Sequence, residues 1–205
     1  CVVASFRRPA LPSGEALPLS ALEHIATMLA ISRLDAPYPG LEIVKQTCTP
    51  ASLAEFAWDL FEAWIAAGAP SKEGWAFSAL GLLGDDETAR RLAPRIREWP
   101  GESAHARAVA GLDLLATLGS DVALMHLNGI ANKVKFKALQ ERAKEKITLV
   151  AQTRGLTAAE LADRLVPDLG LDASGRLELD FGPRQFFVAF DEALKPFVKD
   201  AHGAR

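Results

Sequence analysis

Three glycines recur along this chain at nearly constant spacing, each after an apolar helical stretch. They are Gly84, Gly119 and Gly155, and the intervals between them are 35 and 36 residues. A new amphipathic segment follows each of them. A period in this range is typical of helical hairpins that stack, because one hairpin cannot bury its apolar face without a neighbour. The spacing therefore predicts a stacked helical array, but it carries no information about function.

The clearest helix begins at Thr49 and Pro50, a pair typical of an N-cap and a first helical turn. The apolar residues that follow alternate spacings of three and one, which places them on one face of a helix. They are Leu53, Phe56, Ala57, Leu60, Phe61, Trp64 and Ile65. Gly68 is expected to end this helix in the left-handed conformation.

Further helix starts are indicated by residues that cap a helix or favour its N-terminus. They are Ser20, Ser71, Asp85 with Asp86, Ser103, Ser120, and Thr157 with Glu160. Another helix is expected beyond Val134, and Pro167 is expected to close the last one. Pro94 lies inside the helix that begins at Asp85, and an interior proline costs about 3 kcal/mol. We therefore expect Pro94 to kink or divide that helix.

The apolar pattern changes near the C-terminus from the helical period to an alternating one. Residues 176–190 alternate polar and apolar side chains around a turn at Gly182 and Pro183, which predicts a β-hairpin. A third short strand is expected near Lys195–Lys199. Such a small sheet would cover the open end of the array, since terminal repeats must be shielded from water.

These patterns together predict a mostly α-helical chain. The expected fold is a right-handed, HEAT-like α-solenoid of helical hairpins with a small C-terminal antiparallel β-element. Three segments are expected: an irregular N-terminal segment at 1–17, the helical array at 18–170, and the β-hairpin or meander at 171–205.

Several segments give the chain a resemblance to a known family. They are SLAEFAWDLFEAW at 52–64, GWAFSALGLLG at 74–84, WPG at 99–101, LTAAELADRLVP at 156–167 and DFGPRQF at 180–186. With them the chain resembles a bacterial family of unknown function found in large cytoplasmic proteins. Some of those proteins are called molybdate metabolism regulator (MolR)-like, and some carry a WGR domain. The resemblance implies the C-terminal part of a HEAT-type array whose β-element continues past Arg205, and it implies no catalytic residue.

Composition restricts the classes of partner and compartment. The formal net charge is −3 and the pI is near 5.9, so the chain as a whole does not attract nucleic acid or an acidic membrane surface. Two cysteines, Cys1 and Cys48, are too few for a disulfide framework. No run of 18 apolar residues predicts a membrane span. We therefore expect a cytoplasmic protein without membrane contact.

Positive charge is concentrated in one segment, Asn132–Lys146. Its six basic residues are Lys133, Lys135, Lys137, Arg142, Lys144 and Lys146. If the segment is helical, the spacing places Lys133, Lys137 and Lys144 on one side, where they would contact phosphates of nucleic acid. The alternative is an ordinary solvated helix face in an acidic chain.

The remaining candidate site residue is Trp58. Trp64, Trp75 and Trp99 fit the apolar stripes of their helices, whereas Trp58 falls outside its stripe. An exposed Trp58 would be a natural anchor for a protein partner, and the alternative is a contact with the preceding helix.

No residue pattern is typical of a catalytic, cofactor or metal site. The four histidines are scattered, and the serines at helix starts are explained by capping. The sequence thus favours a non-enzymatic scaffold that binds a protein or another domain of its own chain. A nucleic-acid-binding module that uses residues 132–146 is the alternative, and an enzyme whose active residues lie outside the chain is a third.

Overall fold

The computed structural model describes residues 6–165, 176–180, 184–191 and 195–200. The chain divides into two compact units, Cys1–Leu165 and Val166–Arg205. The helices of the first unit are α1 (Leu19–Ala30), α2 (Gly40–Thr47), α3 (Pro50–Ala66), α4 (Trp75–Leu83), α5 (Asp86–Glu98), α6 (His105–Leu118), α7 (Asp121–Lys133), α8 (Lys137–Thr153) and α9 (Ala158–Arg164). Short 3₁₀ turns occupy Ser71–Glu73 and Trp99–Glu102.

The helices of the first unit pack in hairpins, and the hairpins pack on one another. Helix α3 packs on α4, α5 on α6 and α7 on α8. Contacts between successive hairpins join α4 to α6, α6 to α8, and α5 to α7. Helix α1 contacts α2 and α4, and α9 contacts α8. This order of contacts buries one continuous apolar core, which runs through the first unit.

Aromatic rings form the densest part of this core. Phe61 lies 5.4 Å from Phe77 between ring centroids, and Trp64 stacks on Phe77 at the same distance with the planes 10° apart. Trp99 completes the cluster with edge-to-face contacts to Phe61 and Phe77. Ring pairs in such arrangements contribute beyond their buried area. They join α3 and α4 to the turn after α5.

The second unit holds a three-stranded antiparallel sheet in the order β1 (Leu177–Asp180), β2 (Gln185–Phe190) and β3 (Pro196–Asp200). Asp180 pairs with Gln185 and Val188 pairs with Val198. The predicted hairpin and the predicted third strand are therefore confirmed, as is a mostly helical chain with a C-terminal sheet. The turn at Gly182 and Pro183, the helix end at Pro167, and the boundary predicted at residue 170 lie outside the described residues.

Four of the predicted helix starts are confirmed. Pro50 opens α3 after Thr49, and Asp85 and Thr88 form a capping box at the start of α5. The Ser120 side chain accepts the Ala123 N–H at the start of α7. A second capping box, between Thr157 and Glu160, opens α9. The caps at Asp85, Ser120 and Thr157 satisfy backbone N–H groups that a helix N-terminus leaves unpaired, whereas the Thr49 side chain makes no such bond.

Three serine caps are wrong. Helix α1 begins at Leu19, before Ser20, and follows Pro18. Ser71 opens a 3₁₀ turn rather than α4, which begins at Trp75. Ser103 has a φ of 61°, in the left-handed region, so it ends the 3₁₀ turn and precedes the N-cap of α6. Local residue type alone did not separate a cap from a turn at these positions.

Two further corrections concern proline and glycine as helix breakers. Helix α5 runs through Pro94 as one helix, so the predicted division is wrong. Pro94 is exposed, and it has no N–H to donate to the Arg90 carbonyl. Helix α2 is absent from the predicted helices, and it begins at Gly40, directly after Pro39.

The recurring glycines have different local reasons. Gly119 and Gly155 follow α6 and α8 with φ values of 62° and 68°, where a side chain would be strained. Gly84 instead has an ordinary φ of −71°, but a Cβ there would lie 2.2 Å from the Leu80 carbonyl oxygen. The period therefore marks hairpin boundaries, although one of the three glycines is required by close approach rather than by backbone conformation.

Candidate functional site

The basic segment at 132–146 is not one helix. Helix α7 ends at Lys133 and α8 begins at Lys137, with Val134 and Phe136 in extended conformations between them. The prediction that helical spacing places Lys133, Lys137 and Lys144 on one side is therefore wrong for Lys133. Lys137 and Lys144 do lie two turns apart on α8.

The two halves of this segment differ in their ion pairs. In the second half Arg142 pairs with Glu145 at 2.7 Å, Lys144 with Glu141 at 3.0 Å, and Lys146 with Asp113 at 2.5 Å. The first half contains the exposed lysines Lys133, Lys135 and Lys137. No carboxylate among the described residues lies within 4.0 Å of these three ammonium groups. Within residues 132–146, the cations that lack a described carboxylate partner are thus the three lysines at the α7–α8 turn.

Trp58 is buried, with 3% of its surface exposed, so the expectation of an exposed anchor is wrong. The Arg91 guanidinium lies 3.9 Å from its ring centroid, and the indole N–H donates to Glu62 at 3.0 Å. Arg95 also binds Glu62, at 2.6 Å. The ring is therefore covered by arginines of α5. A cation over the indole face and a paired N–H explain its burial.

The N-terminal segment is fixed to the same face of α3. The Arg7 backbone N–H donates to Asp59 at 2.7 Å, and the Arg7 guanidinium binds both Asp59 and Glu55. Glu55 also pairs with Arg91 at 3.3 Å. Burial raises the pKa of Asp59, but hydrogen bonds and charge from Arg7 outweigh that effect and hold it below its usual value. These contacts use their charges internally and leave no open site.

A groove of about 460 Å³ lies on α6, α8 and the loop after α1. Its apolar floor comes from Leu34, Ala116, Leu149 and Val150, and 54% of the Leu149 surface is exposed. Charged and polar side chains surround the floor: Arg33, Asp35, Asp113, Thr117, Lys146 and Thr153. Sequence reasoning missed this groove, because its residues come from elements more than 100 positions apart.

A second charged surface lies where α5 packs on α7. Arg97 of α5 is exposed, and its Nη2 atom lies 3.5 Å from the position that a Cβ on Gly129 of α7 would occupy. Half-buried His126 lies one turn before Gly129. Burial lowers the pKa of His126, and the positive charges of Arg97 and Arg90 lower it further. The one sequence signal was a glycine inside a helix, which usually has a packing or functional reason.

The chain is similar to one curated protein of unknown role. It is 48% identical over 201 residues to the uncharacterised protein YehI of Escherichia coli (strain K12). The match covers 98% of this chain but only 17% of that protein. No protein-family model and no solved structure matches the chain. The chain thus spans about a sixth of the length of YehI, and the name of that relative assigns it no activity.

Other candidate chemistry is sparse in the described part of the chain. Cys48 is buried, and burial raises the pKa of its thiol, which keeps it protonated. Among residues 6–165 and the described strands, no three His, Cys, Asp or Glu side chains are grouped so that they would hold a metal ion. None of the described helices is long and apolar enough to cross a bilayer.

Proposed function

We propose that this chain is a non-enzymatic, HEAT-like helical-repeat module that binds another protein or another domain of its own chain. The packing of α3–α4, α5–α6 and α7–α8 on one another supports a solenoid, since each hairpin contacts its successor. A module that spans 17% of a similar protein is suited to work as one part of a larger molecule. Repeat arrays expose long surfaces that bind partners.

The groove on α6 and α8 carries this proposal. An apolar floor with a charged rim is the usual anatomy of a protein interface, and the exposed Leu149 is its natural anchor. The rim holds both signs of charge, because Lys146 and Asp113 form an ion pair at its edge. A partner with an apolar side chain and mixed charges would match it.

The wider setting is also a proposal. We propose that the module belongs to a large bacterial cytoplasmic protein, as the resemblance to MolR-like, sometimes WGR-linked proteins implies. A single buried thiol among the described residues is in keeping with a reducing compartment.

The test compares two apolar residues whose replacement introduces the same charge. Leu149→Glu places a carboxylate in the groove, whereas Ile43→Glu does so on α2, where 67% of the side chain is exposed. Immobilised wild-type chain and both variants are used to capture proteins from a nuclease-treated bacterial lysate. We expect a partner that wild type and Ile43→Glu retain and Leu149→Glu loses. Equal retention by all three would contradict the groove as the binding site.

Nucleic-acid binding is the second candidate function. The observation that favours it is the cluster of exposed, unpaired lysines Lys133, Lys135 and Lys137. The spacing argument from the sequence included Lys144, but this cluster does not, because Lys144 forms an ion pair with Glu141. Charge reversal at Lys133 and Lys137 is expected to abolish binding to DNA, and reversal at Lys144 is expected to reduce it far less. Equal loss from all three reversals would indicate non-specific attraction.

A further inference from the structure

We infer that Arg90, Arg97 and Lys133, together with the imidazole of His126, form a strip across α5 and α7 that binds the phosphodiester backbone of nucleic acid. This inference rests on the second candidate function and extends it, because three of these residues lie outside the basic segment at 132–146. Nucleic acid would therefore contact the two packed helices α5 and α7 rather than a single basic helix.

The geometry of the strip follows from the packing of α5 on α7. Gly129 has no side chain, so the Arg97 guanidinium lies directly across the α7 backbone at that turn. His126 and Lys133 lie one turn to either side of Gly129, which places them on the same face of α7. Arg90 lies two turns before Arg97 on α5. The strip thus extends about 10 Å along each helix, at 1.5 Å per residue.

The strip has little negative charge to neutralise it. Neither Arg97 nor Lys133 has a carboxylate within 4.0 Å among the residues that the structure describes. Arg90 pairs with Glu87 at 3.5 Å, and both side chains are more than half exposed, so that pair holds the guanidinium weakly. The positive charges of Arg97 and Arg90 disfavour protonation of the half-buried His126. An added anion would relieve this repulsion.

A phosphate backbone matches the strip better than a protein partner does. A protein interface needs an apolar core, and no large apolar side chain of α5 or α7 is exposed. Guanidinium groups bind phosphate through two parallel hydrogen bonds. Beyond Lys133 the surface continues with Lys135, Phe136 and Lys137, and 36% of the Phe136 surface is exposed. An exposed ring between two lysines would stack on an unpaired base.

The experiment measures binding of the whole chain to fluorescein-labelled DNA of about 20 base pairs, which is about two helical turns. The same strand without its complement is the second probe. Wild type is compared with Arg97→Gln and Lys133→Gln, and with the control Arg142→Gln. Arg142 is exposed, like Arg97 and Lys133, but it lies on α8 and is paired with Glu145. All four proteins are first compared by circular dichroism, since exposed positions tolerate glutamine.

Each phosphate contact is worth about 0.9 in the slope of log K against log salt concentration, which is about eightfold in affinity at 0.1 M salt. We therefore expect Arg97→Gln and Lys133→Gln each to weaken binding about eightfold and to lower the slope by about 0.9. Arg142→Gln is expected to change the affinity less than about twofold. Tighter binding to the single strand would identify base stacking on Phe136, and equal binding would identify the backbone alone.

Two failures are distinguishable. If the chain binds DNA and Arg97→Gln binds as wild type does, the strip is wrong and nucleic-acid binding stands. If wild type binds neither probe at low salt, both the strip and the second candidate function are overturned. Equal weakening by Arg97→Gln and Arg142→Gln would also overturn the strip, because it would show a response to net charge alone.

Discussion

Gly111→Ala tests the close packing of α5 on α6 with the smallest possible change. Gly111 is buried in α6, and a Cβ there would lie 2.5 Å from the Ile96 Cγ1 atom and 2.8 Å from its Cδ1 atom. The Trp99 ring is 3.3 Å away on the other side. Ile96 has none of its surface exposed, so it has no free space to move into. The added methyl group must therefore push apart two packed elements.

The expected cost combines two opposing effects. Extra methyl groups in a filled core typically cost 1–3 kcal/mol, so about 2 kcal/mol is a fair estimate here. Replacing glycine by alanine inside a helix raises the free energy of unfolding by about 0.5–1 kcal/mol. The free energy of unfolding should therefore fall by about 1–1.5 kcal/mol. Gly129→Ala is the matched control, since its nearest neighbour is Arg97 Nη2 at 3.5 Å, an ordinary contact. It should raise the free energy of unfolding by about 0.5–1 kcal/mol.

Urea unfolding followed by tryptophan fluorescence measures both variants, because all four tryptophans lie in the helical unit. With an m value of about 2 kcal/mol/M, a difference of about 2 kcal/mol separates the two midpoints by about 1 M urea. A Gly111→Ala protein as stable as Gly129→Ala would refute the close approach of α5 and α6.

Three further predictions concern single side chains. Ser120→Ala should lower the free energy of unfolding by about 1 kcal/mol because it removes a helix cap, whereas Ser103→Ala should leave it nearly unchanged; urea midpoints decide between them. Asp59→Asn should cost about 1 kcal/mol at pH 7 by weakening the Arg7 contact. The folded pKa of Asp59 is lowered, so the stability difference between wild type and Asp59→Asn should persist above about pH 4 and vanish as the pH falls through the folded pKa. A pH series of urea midpoints on both proteins measures this difference. If the contact were absent, burial alone would raise the pKa, and wild type would gain stability relative to Asp59→Asn as the pH falls. The folded pKa of His126 is also lowered, so wild type should lose stability as the pH falls below about 6.5; the same series on His126→Gln should lack that loss above the range where carboxylates titrate.

Long, strongly periodic elements were predictable from the sequence. The stripe of α3 and the capping residues Asp85, Ser120 and Thr157 are local signals, and the structure confirms them. Helix α2 lacked such a signal, because it is short and follows two prolines. The break between α7 and α8 agrees with the new helix predicted beyond Val134, but the spacing of Lys133, Lys137 and Lys144 was counted across that break.

The candidate sites depended on tertiary contacts that periodicity does not report. Trp58 lies off the apolar stripe of α3, yet it is buried because arginines of α5 cover its ring. Arg97 and Gly129 are 32 positions apart in the sequence, and the packing of α5 on α7 brings them together. Ion pairs likewise decide which lysines of the basic segment are free.

Photo-crosslinking from the groove is the most direct test of the proposed interaction module. A photoreactive residue replaces Leu149 in one protein and Ile43 in another, and each is irradiated in nuclease-treated bacterial lysate. We predict a crosslinked protein from position 149 that position 43 does not give. No crosslinked product from position 149, or the same products from both positions, would contradict a partner in the groove.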